Sequence, residues 1–195
     1  MNTGKHIFES QENSEKIFPP VIKIPVENFL TGQIYDICGG DSMTFSDDDI
    51  KKIVEICSQP DVHKRFTKRL SGQPYTDMDA LNFIEYVKTG WAKGLHFVFF
   101  VRDSNSEIVA EIEIRNPDLN RAEIGYWSDM NHRGLMTNTI KEIVNISRNY
   151  GFRKLFAGVS ADNDKSIAVL KRAGFEQVAE DMKDDKPHFI YEMSL

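Results

Sequence analysis

Glu123-Ile-Gly-Tyr-Trp-Ser-Asp-Met-Asn-His-Arg-Gly134-Leu-Met-Thr137 passes from a β-branched and aromatic segment, through a polar loop with one glycine, into a helical apolar pattern. A strand ending in such a loop aims backbone N–H groups at one point, and the dipole of the following helix adds partial positive charge there. The expected ligand is an anion, and a diphosphate fits. Arg133 adds a charge-assisted contact. A single glycine before a helix is often only a turn, so the loop needs corroboration from the rest of the chain.

Working outward, Met136, Ile140, Ile143, Val144 and Ser147 give the helix its face, and Gly151 closes it as a left-handed cap. Lys154 to Ser160 reads as a buried strand. Asp164 to Ala173 reads as a short helix stopped by Gly174, and Phe175 to Ala179 and His188 to Met193 as two final strands. Upstream, His96 to Arg102, Glu107 to Arg115 and Ala122 to Trp127 are separated by the turns Asp103-Ser-Asn-Ser106 and Asn116-Pro-Asp118, which predicts an antiparallel meander. Ser46 before Asp47, Asp48 and Asp49, and Thr76 before Asp79, mark two helix starts. Pro19, Pro20 and Pro25 punctuate an expected edge strand, Val21 to Ile24. The chain therefore divides into a polar tail, 1–18, and a single domain, 19–195.

A second motif follows in register: Ser160-Ala-Asp-Asn163-Asp-Lys-Ser166-Ile-Ala-Val-Leu170-Lys-Arg-Ala-Gly174-Phe175. Asn-x-x-Ser-Ile followed by Val-Leu-Lys-x-x-Gly-Phe resembles the fourth-helix motif of the GNAT N-acetyltransferases, in particular the RimJ/RimL branch that acetylates ribosomal proteins. Ala122-Glu-Ile-Gly-Tyr-Trp127 resembles that superfamily's fourth strand, and Gln59-Pro-Asp-Val62, Leu70 to Thr76 and Ala80 to Ile84 resemble its first two helices, so the likeness covers about residues 44–195. The diphosphate loop departs from the branch: Asn131-His-Arg-Gly134 enters Leu135-Met-Thr137 two residues early.

The resemblance implies an α/β (α+β) fold, a mixed and mostly antiparallel sheet flanked by helices, whose fourth and fifth strands splay. It implies an acetyltransferase that moves acetyl from acetyl-CoA to a primary amine, on a protein N-terminus or a small molecule, by direct attack in a ternary complex. Tyr126, His132, Arg133, Gly134, Leu135, Met136, Asn163 and Ser166 would hold acetyl-CoA. The attacking amine must be neutral, which requires a base. Glu123 is the first candidate, and Asp185 beside Asp184 the second. Ser166 would supply a proton to the leaving thiolate, with Tyr126 or Tyr191 as substitutes. The alternative is a degenerate domain that binds CoA or a protein partner without catalysis.

Composition agrees with that class. With 30 acidic against 24 basic residues the chain suits a cationic substrate and disfavours nucleic acid. Its five histidines are scattered, so no metal site is expected, and Cys38 and Cys57 stand too far apart for a redox pair. The absence of an apolar leader or span predicts a cytoplasmic monomer or homodimer away from membranes.

Overall fold

The computed structural model describes residues 17–19, 22–65, 67–183 and 186–195. Eight strands form one sheet: β1 (Lys23–Glu27), β2 (Ile34–Gly39), β3 (Phe97–Arg102), β4 (Ile108–Ile114), β5 (Ala122–Ser128), β6 (Lys154–Ser160), β7 (Glu176–Lys183) and β8 (Lys186–Ser194), in the order β1-β2-β3-β4-β5-β6-β8-β7. Neighbours run antiparallel except β5 and β6, which are parallel. Helices α1 (Asp47–Ser58), α2 (Pro60–His63), α3 (Thr67–Leu70) and α4 (Asp77–Lys93) precede the meander, while α5 (Leu135–Asn149) and α6 (Asp164–Ala173) flank β6 in the chain. The mixed, mostly antiparallel sheet expected from the sequence is present.

Strand β3 is buried along Phe97 to Val101, as its unbroken apolar run requires of a strand covered on both faces. Helix α5 lays Leu135, Ile140 and Ile143 into the core, each fully buried and worth about 1.5–3 kcal/mol. Phe18, the last residue of the stretch read as a tail, is only 2% exposed. Its ring lies 4.8 Å from Phe97 and 5.8 Å from Phe152.

Two differences from the sequence reading concern strands. β2 was not expected; its alternation is short, but Tyr35 and Ile37 face inward. The final hairpin runs further than its apolar residues suggest, because β7 is an edge strand exposed at every position and needs no inward-facing residue. The other edge, β1, carries Pro25. No helix among the described residues is long and apolar enough to cross a membrane.

Candidate functional site

Strands β5 and β6 pair only at Ala122 with Leu155 and at Glu123 with Phe156, and then part. A cleft of about 700 Å³ opens where they diverge, bounded by Tyr126, the loop from Asp129 to Gly134, the start of α5, and α6. The α2 segment closes its other side with Asp61, Val62 and Arg65.

The loop is held by more than its own chain. Its internal bonds are Asn131 N–H to Asp129 Oδ1 at 2.9 Å and His132 N–H to the Asp129 carbonyl at 3.1 Å. From the α1–α2 junction, Gln59 donates Nε2–H to Asp129 Oδ1 and accepts from Met130 N–H, both at 2.9 Å. From the β1–β2 turn, Asn28 donates Nδ2–H to the Arg133 carbonyl at 2.9 Å. Tyr35 on β2 meets His132 Nδ1 at 2.9 Å. Burial works against ionising Asp129, which is 2% exposed, yet the Asn131 N–H, the Gln59 amide and Lys52 hold its carboxyl below the usual range.

Gly134 is the N-cap of α5 at φ 94°, a conformation that favours glycine. A Cβ there would collide with Asn28 Oδ1 and come within 2.7 Å of Leu30 Cγ, so the close approach of the turn demands glycine as well. No side chain caps α5, and its first turn holds no acidic residue. Its leading N–H groups have no intrahelical acceptor and remain available to an anion. Arg65, Arg133, Arg172 and Lys165 line the same cleft together with Asp61, Asp129 and Asp164, so it carries charges of both signs. Lys165 is engaged by Asp61 at 2.6 Å, and Arg172 reaches Thr137 Oγ1 at 3.3 Å and stands over the Phe29 ring.

The sequence-expected residues separate in space. Tyr126, His132, Arg133, Gly134, Met136 and Ser166 line the cleft. Leu135 is outside the lining and fully buried, so only its backbone is available to a ligand. Asn163 is the N-cap of α6, accepting from Ser166 N–H at 3.4 Å, and is 6% exposed. Its Nδ2 is buried without a partner.

Glu123 stands outside the cleft lining and is paired with Arg115 at 2.5 Å. The Arg115 guanidinium lies over β5 at Gly125, where an added Cβ would make that flexible side chain shift. Asp184 and Asp185 lie outside the described residues. Tyr191 is buried with its hydroxyl 3.3 Å from Gln177, away from the cleft. Burial pushes the Tyr126 phenol up to about 12, and its hydroxyl donates to the Ser166 carbonyl at 3.3 Å. Among the described residues no cluster of His, Cys, Asp or Glu is placed to hold a metal ion.

Sequence reasoning missed Asn28, Phe29, Leu30, Gln59, Thr137 and Arg172. The one available signal was the position of Asn28 and Gly32 on either side of a short turn, which marked a turn but not its destination.

A strand that splays from its parallel neighbour at an uncapped helix is the arrangement that the sequence resemblance implied. The model of the acetyltransferase (GNAT) domain matches residues 43–176, more than half of the chain, so the protein belongs to that family. RimL, a ribosomal L7/L12 α-N-protein acetyltransferase, superposes with a TM-score of 0.68 at 16% identity, over 90% of this chain and 95% of that one. Mycobacterium smegmatis RimJ, in complex with CoA-disulfide, gives 0.65 at 16% identity over 89% and 86%. A spermidine N-acetyltransferase from Vibrio cholerae, in complex with CoA and spermine, gives 0.63 at 13% identity over 82% and 95%. These identities establish a shared fold. No curated protein sequence matches the chain significantly.

Proposed function

We propose that the protein transfers acetyl from acetyl-CoA to a primary amine, on a protein N-terminus or a small molecule, by direct attack in a ternary complex. The observation that carries this reading is the uncapped start of α5 at Gly134, facing the cleft where β5 and β6 part. The N–H groups from His132 to Met136 would take the diphosphate, and Arg133 would add charge. The acetyl oxygen would accept a backbone hydrogen bond near Tyr126 as negative charge develops on it.

The neutral amine nitrogen forms the new C–N bond to the acetyl carbon, the C–S bond breaks and CoA leaves as thiolate; the proton that the nitrogen sheds passes to solvent water, from which the thiolate is protonated to the CoA thiol. With a phenol at about 12, Tyr126 stays protonated at neutral pH. It is too weak an acid to protonate outright a thiolate whose conjugate acid ionises near ~8.5, so Tyr126, with Ser166 beside it, serves as a hydrogen-bond donor to the developing charge. We assign no proton transfer to Glu123, because Arg115 occupies it outside the cleft lining.

The test is acetyl-CoA titration by calorimetry, followed by thiol-release assays over a panel of polyamines, amino acid amides and N-terminal peptides. Saturable binding with turnover on one amine class supports the reading. No binding at millimolar acetyl-CoA would overturn it, and binding without turnover would make the chain a CoA-binding module.

A further inference from the structure

The short loop before Gly134 makes only two internal hydrogen bonds among those described above, yet two side chains from distant parts of the sequence bracket it. Asn28 comes from the β1–β2 turn on one side, and Gln59 from the α1–α2 junction on the other. Both amides are orientated by their partners. Asn28 Oδ1 accepts from Leu30 N–H at 2.9 Å, so its nitrogen must be the atom facing the Arg133 carbonyl. Gln59 Oε1 accepts from Met130 N–H, so its nitrogen faces the Asp129 carboxylate. Asn28 is 1% exposed, and its own backbone closes the turn through Gln33 and Gly32. The turn is further anchored to α5, where Asn138 donates Nδ2–H to the Glu27 carbonyl at 2.7 Å.

We infer that Asn28 and Gln59 are positioning residues for the cosubstrate: an external brace that fixes the abbreviated loop with its N–H groups turned into the cleft. The inference rests on the acetyl-CoA reading of that cleft. Two tethers at opposite ends of the loop do what internal hydrogen bonds do in a longer one. They fix the direction of the peptide units at Met130 and Arg133, on either side of the segment that would meet the diphosphate. Preorganised donors bind an anion without paying for their own ordering.

Near-isosteric variants separate bracing from turn formation. Asn28→Asp keeps the oxygen that accepts from Leu30 but sets a second oxygen against the Arg133 carbonyl. Gln59→Glu keeps the acceptor for Met130 but sets it against Asp129. Each is expected to raise the Kd and KM for acetyl-CoA about 10-fold, as the loss of one charge-free tether and its replacement by repulsion implies, while kcat at saturation changes less than about 2-fold. Hydrogen exchange of the cosubstrate-free protein should quicken in residues 129–137 and stay unchanged in β3. Asn28→Ala and Gln59→Ala, which remove the tether without adding repulsion, should weaken acetyl-CoA binding in the same direction by a smaller factor.

If Asn28→Asp and Gln59→Glu bind acetyl-CoA as the parent does, the brace is refuted, and so it is if they lose kcat and thermal stability with KM unchanged. A parent protein that fails to bind acetyl-CoA sinks the functional reading instead, whatever the variants do.

Discussion

Helices α1 and α4 begin closed, and α5 begins open. Ser46 and Asp49 form a reciprocal capping box at α1, and Thr76 and Asp79 do the same at α4, each with acidic residues in the first turn. At α5 the cap is Gly134, with no side chain over the first turn and no acid in it. Every helix start carries the same excess of unpaired N–H groups and the same partial positive charge. What differs is who satisfies them. A start closed by its own side chains contributes stability, whereas the one left open at the cleft is, on the proposed function, held in reserve for the diphosphate. The contrast separates structural from functional helix termini within one chain.

The largest expected effect comes from spoiling the open start. Gly134→Ala strains a residue at φ 94° and drives a methyl into Asn28 and Leu30. We expect acetyl-CoA affinity to fall about 100-fold, or ~2.8 kcal/mol, by calorimetry. A variant that binds normally would show that the loop does not hold the diphosphate.

Converting α5 to the closed type is the next test. Thr137 occupies the third helical position, where α1 and α4 carry Asp49 and Asp79, and it lines the cleft. Thr137→Asp should weaken acetyl-CoA binding roughly 10-fold through repulsion. Equal affinity would mean that the helix start is not the anion's seat.

Opening a closed start should have the opposite profile. Thr76→Ala removes the α4 cap and is expected to cost about 1 kcal/mol, a fall of ~2–4 °C in Tm, with acetyl-CoA affinity unchanged. A change in affinity without a change in Tm would undo the distinction between the two kinds of terminus.

The smallest effect is in pH. The Thr76 hydroxyl and backbone N–H hold Asp79 below the usual carboxylate range. At Asp49 burial pushes upward, but the Arg102 guanidinium and the Ser46 groups override it. A carboxyl whose folded pKa is lowered contributes stability above its unfolded value, near ~3.9, and loses it as pH falls through the folded value. Asp79→Asn should therefore lower Tm at pH 7, with the gap to the parent closing as pH falls below the unfolded value and through the lowered folded one in thermal melts. A gap that stays constant with pH would assign the cap's contribution to shape rather than charge.

Much of this was legible in the sequence, for local reasons. Ser46 with Asp49, Thr76 with Asp79, and Gly134 before an amphipathic run each declare a helix start within four residues. The meander announced itself through alternation and turns. Tyr126, His132, Arg133, Gly134 and Met136 reach the cleft together because they lie on one strand, loop and helix. The rest depended on contacts between remote parts of the chain. Asn28 meets Arg133 across 105 positions and Gln59 meets Asp129 across 70, and no spacing rule encodes such pairs. Glu123 shows the same limit: its place on β5 made it the first candidate base, and its ion pair with Arg115, from beyond the end of β4, is a contact that the spacing did not announce.

The two edges of the sheet bear on how the protein behaves in company. An exposed strand edge offers unpaired backbone groups to any other chain, and β7 is eight residues long with Val178 and Met182 pointing into solvent. It also carries Glu176, Glu180, Asp181 and Lys183, charged side chains whose water a second copy extending the sheet there would have to displace. At the far edge Pro25 leaves one ladder position without a donor. Both margins of the sheet thus carry features that work against strand-to-strand aggregation, the charges on β7 and the proline on β1.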